Sequence, residues 1–193
     1  MSFHLARRLK SMSSYSPPAA ATGLDELVSA VRAVVSRHAD WHRTARLVAR
    51  ELTRRLPTSE ILAPEQRIGE ADNYRSHFLY AEPDGTFSIA AMVWRPGQLT
   101  QIHDHVTWCV FGVIQGVEHE ELFRLDEEDN CLVEIGESTK KAGDVNGFAP
   151  PGDIHRVRNT GDETAISIHI YGTDVSRIGS SVRRYYDQPI VAA

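Results

Sequence analysis

The stretch Gly97-Gln98-Leu99-Thr100-Gln101-Ile102-His103-Asp104-His105-Val106-Thr107-Trp108-Cys109, running on to Gly116, decides how this chain is read. Side chains alternate along a β-strand, so two histidines one residue apart share a face and can grip one metal ion from a single strand. The glycines at either end sit where a small barrel needs its turns. Downstream, Pro150-Pro151-Gly152-Asp153-Ile154-His155-Arg156-Val157-Arg158-Asn159 offers a third histidine. Imidazole nitrogen suits iron, copper, zinc or nickel. The rival reading, histidines that merely fill a barrel, has to place all three together by chance.

Working outward, the period of 2 holds from Tyr74 onward. Strands are expected at Phe87 to Trp94, after a turn at Pro83-Asp84-Gly85, and at Trp108 to Ile114. A more exposed strand follows from Glu118 to Leu125, with a solvated hairpin tip at Asp126 to Asn130 and a return from Leu132 to Ile135. Val145 to Phe148, Ile154 to Arg158 and Ala165 to Tyr171 complete an antiparallel barrel. Upstream the period is helical. Leu24, Leu27, Val28, Val31 and Val34 recur at spacings of three and four; Asp40 can cap a second helix with Trp41, Ala45, Val48, Ala49 and Leu52 as its apolar stripe, and Pro57 ends it.

These motifs resemble the two signatures of the cupin superfamily, G-x5-H-x-H-x(3,4)-E-x6-G and G-x5-P-x-G-x2-H-x3-N. Gly97, His103, His105 and Gly116 fit the first; Pro150, Gly152, His155 and Asn159 fit the second, with Gly143 one residue further back than the pattern asks. Cys109 stands in the slot of the metal-binding glutamate. Loss of that carboxylate resembles the thiol dioxygenase branch, the cysteine dioxygenase family. Ser167-Ile168-His169-Ile170-Tyr171 adds a third mark, since alternation puts Ser167, His169 and Tyr171 on one face, like that family's Ser-His-Tyr relay. Without the upstream motifs the same residues would read as an ordinary strand.

The resemblance implies a mainly β cupin fold, a small jelly-roll barrel with N-terminal helices packed outside. It implies Fe(II) on His103, His105 and His155, and an enzyme that adds both atoms of O2 to the sulfur of a small mercapto-carboxylate. A ferrous ion on three neutral imidazoles keeps its full charge, which favours a thiolate partner. L-cysteine is the first expected substrate and 3-mercaptopropionate the second, the product being a sulfinic acid. Tyr171, oriented by His169 and Ser167, would donate a hydrogen bond to substrate or oxygen. Cys109 stays open between a small buried hydrophobe, a fourth ligand, and the cysteine that animal members carry thioether-linked to the relay tyrosine.

The family's substrate-anchoring Tyr-x-Arg would require arginine at 76, which is serine. Arg75 and His77, sharing one strand face, are the remaining candidates to hold a carboxylate; a solvated strand edge is the alternative. His4, His38, His42 and His119 read as surface residues, and Cys131 as incidental. Two further functional readings stay in play: a cupin with another metal and a non-thiol substrate, and a non-enzymatic ligand-binding or sensor module.

At 193 residues with 41% hydrophobic and 24% charged side chains, the chain suggests one soluble domain over residues 23–193: helices over 23–66, barrel over 70–175, and a C-terminal extension over 176–193. Residues 1–22, basic at Arg7, Arg8 and Lys10 and rich in Ser, Pro and Ala, read as a flexible tail and faintly as a transit peptide. A net charge of −5 offers no basic footprint for nucleic acid, and no apolar run approaches a membrane span. Two unpaired-looking cysteines fit a reducing compartment. The expectation is a cytoplasmic monomer or weak homo-oligomer.

Overall fold

The computed structural model describes residues 19–191. Most of the expected tail, with His4, Arg7, Arg8 and Lys10, lies outside the described residues. Helix α1 (Ala19–Val35) starts four residues before the expected boundary and buries Leu27, Val28, Val31 and Val34 along one stripe. Helix α2 (Trp41–Arg54) begins where the Asp40 carboxylate accepts the Arg43 backbone N–H at 2.8 Å. Its buried stripe is Thr44, Ala45, Val48 and Leu52. Trp41 is not in that stripe as expected; it lies on the surface beside Val106 and Ile178.

The strands are β1 (Arg75–Ala81), β2 (Ser88–Trp94), β3 (Ile102–His105), β4 (Cys109–Gln115), β5 (Val117–Asp126), β6 (Cys131–Lys141), β7 (Val145–Phe148), β8 (Ile154–Asn159), β9 (Ala165–Tyr171), β10 (Val182–Tyr186) and β11 (Ile190–Val191). They form two sheets, ordered β1-β2-β9-β4-β7 and β10-β3-β8-β5-β6-β11, which face each other across a common lumen as the expected barrel. Pairing is antiparallel except between β11 and β6.

The central strands of the first sheet, β2, β9 and β4, are buried on both faces. Ile166, Ile168 and Ile170 of β9, with Ile89, Ala91 and Val93 of β2 and Val110 of β4, pack under the two helices. The alternate residues of the same strands face the lumen. Close approach needs small residues: a Cβ on Gly112 would lie 2.7 Å from the Leu56 Cδ1, and one on Gly147 would lie 3.3 Å from the Ala45 carbonyl oxygen. Gly116, the last motif glycine, has φ +73° and abuts the Ala165 Cα, so a side chain is excluded on both counts. Asn159, fully buried, donates to the Trp94 and Glu163 carbonyls and accepts from the Gly161 N–H, so it ties the turn into β9 to the end of β2.

The C-terminal extension is part of the barrel wall. Strand β10 pairs with β3, and its Val-Arg-Arg-Tyr-Tyr sequence conceals a strand because the arginines face a buried acid. Asp104, fully buried between the two histidines of β3 but on the opposite face, accepts hydrogen bonds from the Tyr186 hydroxyl at 2.8 Å and from Arg183. Burial alone would raise its carboxyl; the hydrogen bonds from Arg183 and Tyr186 and the charges of Arg183 and Arg184 outweigh that and hold it below the usual range.

Tyr186→Phe is expected to destabilise the fold by roughly 1–3 kcal/mol, since it strips a hydrogen bond from a buried charge. A folded-state pKa below the unfolded value contributes stability above about pH 4 that is lost on acidification. The gap between wild type and variant in urea titrations should therefore be full at neutral pH and shrink as the pH falls below about 4.

Candidate metal centre

His103 and His105 project from β3 into the lumen, and His155 from β8 stands directly across from His103 in register. One donor atom from each of the three buried rings lies within 4.8 Å of the others, close enough for one metal ion to take all three. What fixes the rings lies behind them. The His103 Nδ1 is 2.9 Å from the Gln101 carbonyl, the His105 Nδ1 is 3.1 Å from Asp153 Oδ2, and the His155 Nδ1 is 2.8 Å from Glu120 Oε1. Carbonyl and carboxylate oxygens only accept, so each Nδ1 carries the proton and each Nε2 keeps its lone pair. The His155 Nε2 is buried with no hydrogen-bond partner, as a nitrogen reserved for a metal would be.

Burial works against charge on His103 and His105. Burial, then the neighbouring His155 and His105 rings, holds His103 down to about 3, and burial likewise lowers His105 against the pull of Asp153. Burial would raise the Glu120 carboxyl, but the hydrogen bond it accepts from the His155 ring prevails and keeps it below the usual range.

Along β9, Ser167, His169 and Tyr171 face the lumen in a row. Ser167 Oγ is 2.9 Å from the His169 Nε2, and the His169 Nδ1 is 3.4 Å from the Tyr171 hydroxyl. The Trp94 indole N–H points at Ser167 Oγ from 3.4 Å. An indole N–H can only donate, so Ser167 Oγ accepts from Trp94 with one of its two lone pairs. Where Ser167 gives its own proton to His169 Nε2, the His169 proton sits on Nδ1 and is offered to the Tyr171 oxygen. The Tyr171 hydroxyl proton is left free to point elsewhere. Burial, then the His105 and His155 rings, lowers His169 to about 3, so its imidazole is neutral; burial raises the Tyr171 phenol well above its ordinary value.

Cys109 lies opposite Tyr171 on the paired strands β4 and β9. It is buried and is not among the converging donors. Burial, then the Glu120 and Asp153 charges, pushes its thiol well above the ordinary range, so it is no ready thiolate ligand.

A cavity of about 190 Å³ joins these groups and is lined also by Tyr74, Met92, Trp94, Phe111, Phe148 and Glu118. This is below the ~300 Å³ of a typical drug-sized site and suits a molecule of a few heavy atoms. The exposed Ser76 and the stretch Gly179–Val182 also line it.

Arg75 and His77, the candidates for holding a substrate carboxylate, are not among the cavity residues. Alternation along β1 sends Tyr74 and Ser76 to the cavity and Arg75 and His77 to the other face. Arg75 is exposed and pairs with Glu70; His77 donates from Nε2 to the Gln66 carbonyl at 3.1 Å. Conversely, β5 was read as an exposed strand, yet Glu118 and Glu120 are buried on its lumen face. Their period-2 spacing was visible in the sequence, but acids at that period read as a solvent face. Asp153 sat within the second motif without a role. His119 bonds Thr139 and pairs with Glu137, and His38 and His42 are exposed.

The sequence profile described as cysteine dioxygenase type I matches residues 66–185, well over half of the chain. The chain belongs to that family. Among solved structures, oxalate oxidase in complex with glycolate is 16% identical, with 54% of this chain and 53% of that one covered at a TM-score of 0.43. The capsular polysaccharide assembling protein CapF from Staphylococcus aureus is 16% identical, covering 62% and 34% at 0.48. A Cupin 2 conserved barrel domain protein from Salinispora arenicola is 22% identical, covering 61% and 92% at 0.42. The chain spans about half the length of the oxalate oxidase it matches. No helix among the described residues is long and apolar enough to cross a membrane.

Alanine at His103, His105 or His155 should each abolish most metal binding, read as metal per chain after dialysis. Glu120→Gln should retain the fold and weaken affinity by roughly 10–100-fold, because it loosens the proton position and orientation of His155. A Glu120→Gln protein with unchanged affinity would reduce that carboxylate to packing.

Proposed function

We propose that this chain is an iron(II)-dependent thiol dioxygenase that adds both atoms of O2 to the sulfur of a small thiol and releases the sulfinic acid. The observation that carries the reading is the donor set: three buried imidazoles converging in one lumen, no carboxylate among them, and a protonated phenol on a nearby strand. Ferrous iron on these nitrogens would supply the positive charge that lowers a thiol pKa and the electrons that engage O2.

The residues around it have separable tasks. Glu120, Asp153 and the Gln101 carbonyl hold the rings in the metal-binding tautomer. Trp94, Ser167 and His169 aim the Tyr171 hydroxyl proton outward, where it can stabilise charge developing on oxygen. Phe111 and Phe148 give the lumen apolar walls that limit water. The iron-loaded protein, incubated aerobically with a panel of small thiols, should consume about one O2 per sulfinate formed, as the addition of both atoms requires. Tyr171→Phe should keep iron and fold while lowering kcat by roughly tenfold to a hundredfold. Unchanged turnover would reduce the row on β9 to strand packing.

The same reading extends to Cys109. Its register opposite Tyr171 supports a thioether between its sulfur and the phenol ring, the two X–H bonds being lost as O2 is reduced during turnover. The chain would become about two mass units lighter and stay so under reductants that split disulfides. Cys109→Ala should lose this species and keep its iron. Intact-mass spectra showing only the unmodified chain after many turnovers would leave Cys109 as a buried filler.

A further inference from the structure

Glu118 is the buried carboxyl that none of these roles uses. It is 1% exposed on the lumen face of β5 and lines the cavity; burial pushes its carboxyl up to about 7 against the pull of the nearby Ser167 hydroxyl and Trp94 indole, and neither oxygen makes a hydrogen bond of good geometry. The other acids buried near the site are matched: Asp104 by Arg183 and Tyr186, Asp153 by the His105 backbone N–H and ring, Glu120 by His155. An unmatched carboxyl in such a place is costly, and a ligand that supplies the missing donor relieves the cost. Among the described residues no lysine or arginine lines this cavity. Arg75, the nearest candidate by sequence, is turned away onto Glu70.

We propose that Glu118 is the substrate-recognition group of the cavity, and that the thiol it selects is an aminothiol, bearing a protonated amine and needing no carboxylate. This rests on the thiol dioxygenase reading and narrows it. The strand rise places Glu118 about 7 Å along β5 from Glu120, the acid behind His155, so a thiol at the three imidazoles can direct an amine a few bonds from its sulfur toward Glu118. The surroundings favour a cation. Tyr74 and Trp94, stacked at a centroid distance of 4.3 Å, put two aromatic rings in the cavity wall, a lining compatible with an ammonium. Across the first sheet, Ser76, Met92 and Ser167 stand in one row, so a hydroxyl occurs where an anchoring guanidinium would be needed. A mercapto acid would bring its carboxylate to a site holding another carboxyl and no cation, and is selected against. Of the two substrates expected from the sequence, L-cysteine carries the amine and 3-mercaptopropionate does not.

The test compares cysteamine, L-cysteine methyl ester, L-cysteine, mercaptoethanol and 3-mercaptopropionate on the iron-loaded protein. Anaerobic calorimetry reads binding, and sulfinate formation reads kcat/KM. Cysteamine and the ester should exceed 3-mercaptopropionate by about tenfold or more in both readouts, and Glu118→Gln should erase that margin, with mercaptoethanol, which has no amine, reading any general loss to be divided out. A wild-type preference for 3-mercaptopropionate over cysteamine overturns the proposal whatever the variant does, and so does a folded Glu118→Gln protein that keeps the margin. If 3-mercaptopropionate is turned over best, the recognition claim fails and the dioxygenase reading stands. If no thiol yields sulfinate while aminothiols still bind selectively through Glu118, the recognition claim stands and the dioxygenase reading fails.

Discussion

Period-2 alternation along β9 is the constraint on which the rest depends. Ile166, Ile168 and Ile170 lock the strand under α1 and α2, so Ser167, His169 and Tyr171 have only the lumen to occupy. The hydrophobic core that stabilises the first sheet lies largely outside the barrel, between sheet and helices, and this frees the inside to be polar. β2 and β4 obey the same rule, with Ala90, Met92 and Trp94 and with Cys109 and Phe111 turned inward. A slip of one residue in register would drive isoleucines into the lumen and polar groups under the helices, so the helices enforce the geometry of the relay from the far side of the sheet.

A polar lumen raises a second demand, because buried polar groups need partners. The three histidines meet it on one side only. Each Nδ1 is matched by an oxygen, and each match fixes which nitrogen remains available. The two carboxylates used, Glu120 and Asp153, stand one atom layer back from the centre, so a cation held by the rings would feel their charge at a distance while its own donors stayed neutral. Cys109 in the slot where many cupins place a glutamate preserves that neutrality, since burial keeps its thiol protonated.

The parts of this arrangement that were legible in the sequence are those written in local spacing. Two histidines one residue apart, and a serine, histidine and tyrosine at every second position, declare a common face without any knowledge of the fold. The barrel and its two helices were legible for the same reason. What escaped needed a partner from elsewhere in the chain. β10 looked like an extension because Arg183 and Arg184 suggest solvent, and only Asp104, far away in sequence, makes them strand residues. Glu118 and Glu120 looked like a wet face because acids rarely point inward, and only His155 explains one of them. Arg75 and His77 attracted notice for their chemistry, yet alternation had already assigned the cavity to their neighbours Tyr74 and Ser76.

The direction of the relay shows how a single donor-only group can organise a site. Ser167, His169 and Tyr171 are each able to give or take a proton, so the three alone would support two opposite orders of hydrogen bonds with little to choose between them. Trp94 tilts the balance. Its indole N–H takes one Ser167 lone pair and polarises that hydroxyl toward donating to His169, the order that leaves the Tyr171 hydroxyl with a proton to spare. Trp94 is itself fully buried and stacked on Tyr74, so it cannot swing away without opening the wall of the cavity. Aromatic packing on one strand is thereby converted into a hydrogen-bond polarity on the next, which ends beside the three imidazoles, where Tyr171 meets His105 at a ring distance of 6.4 Å.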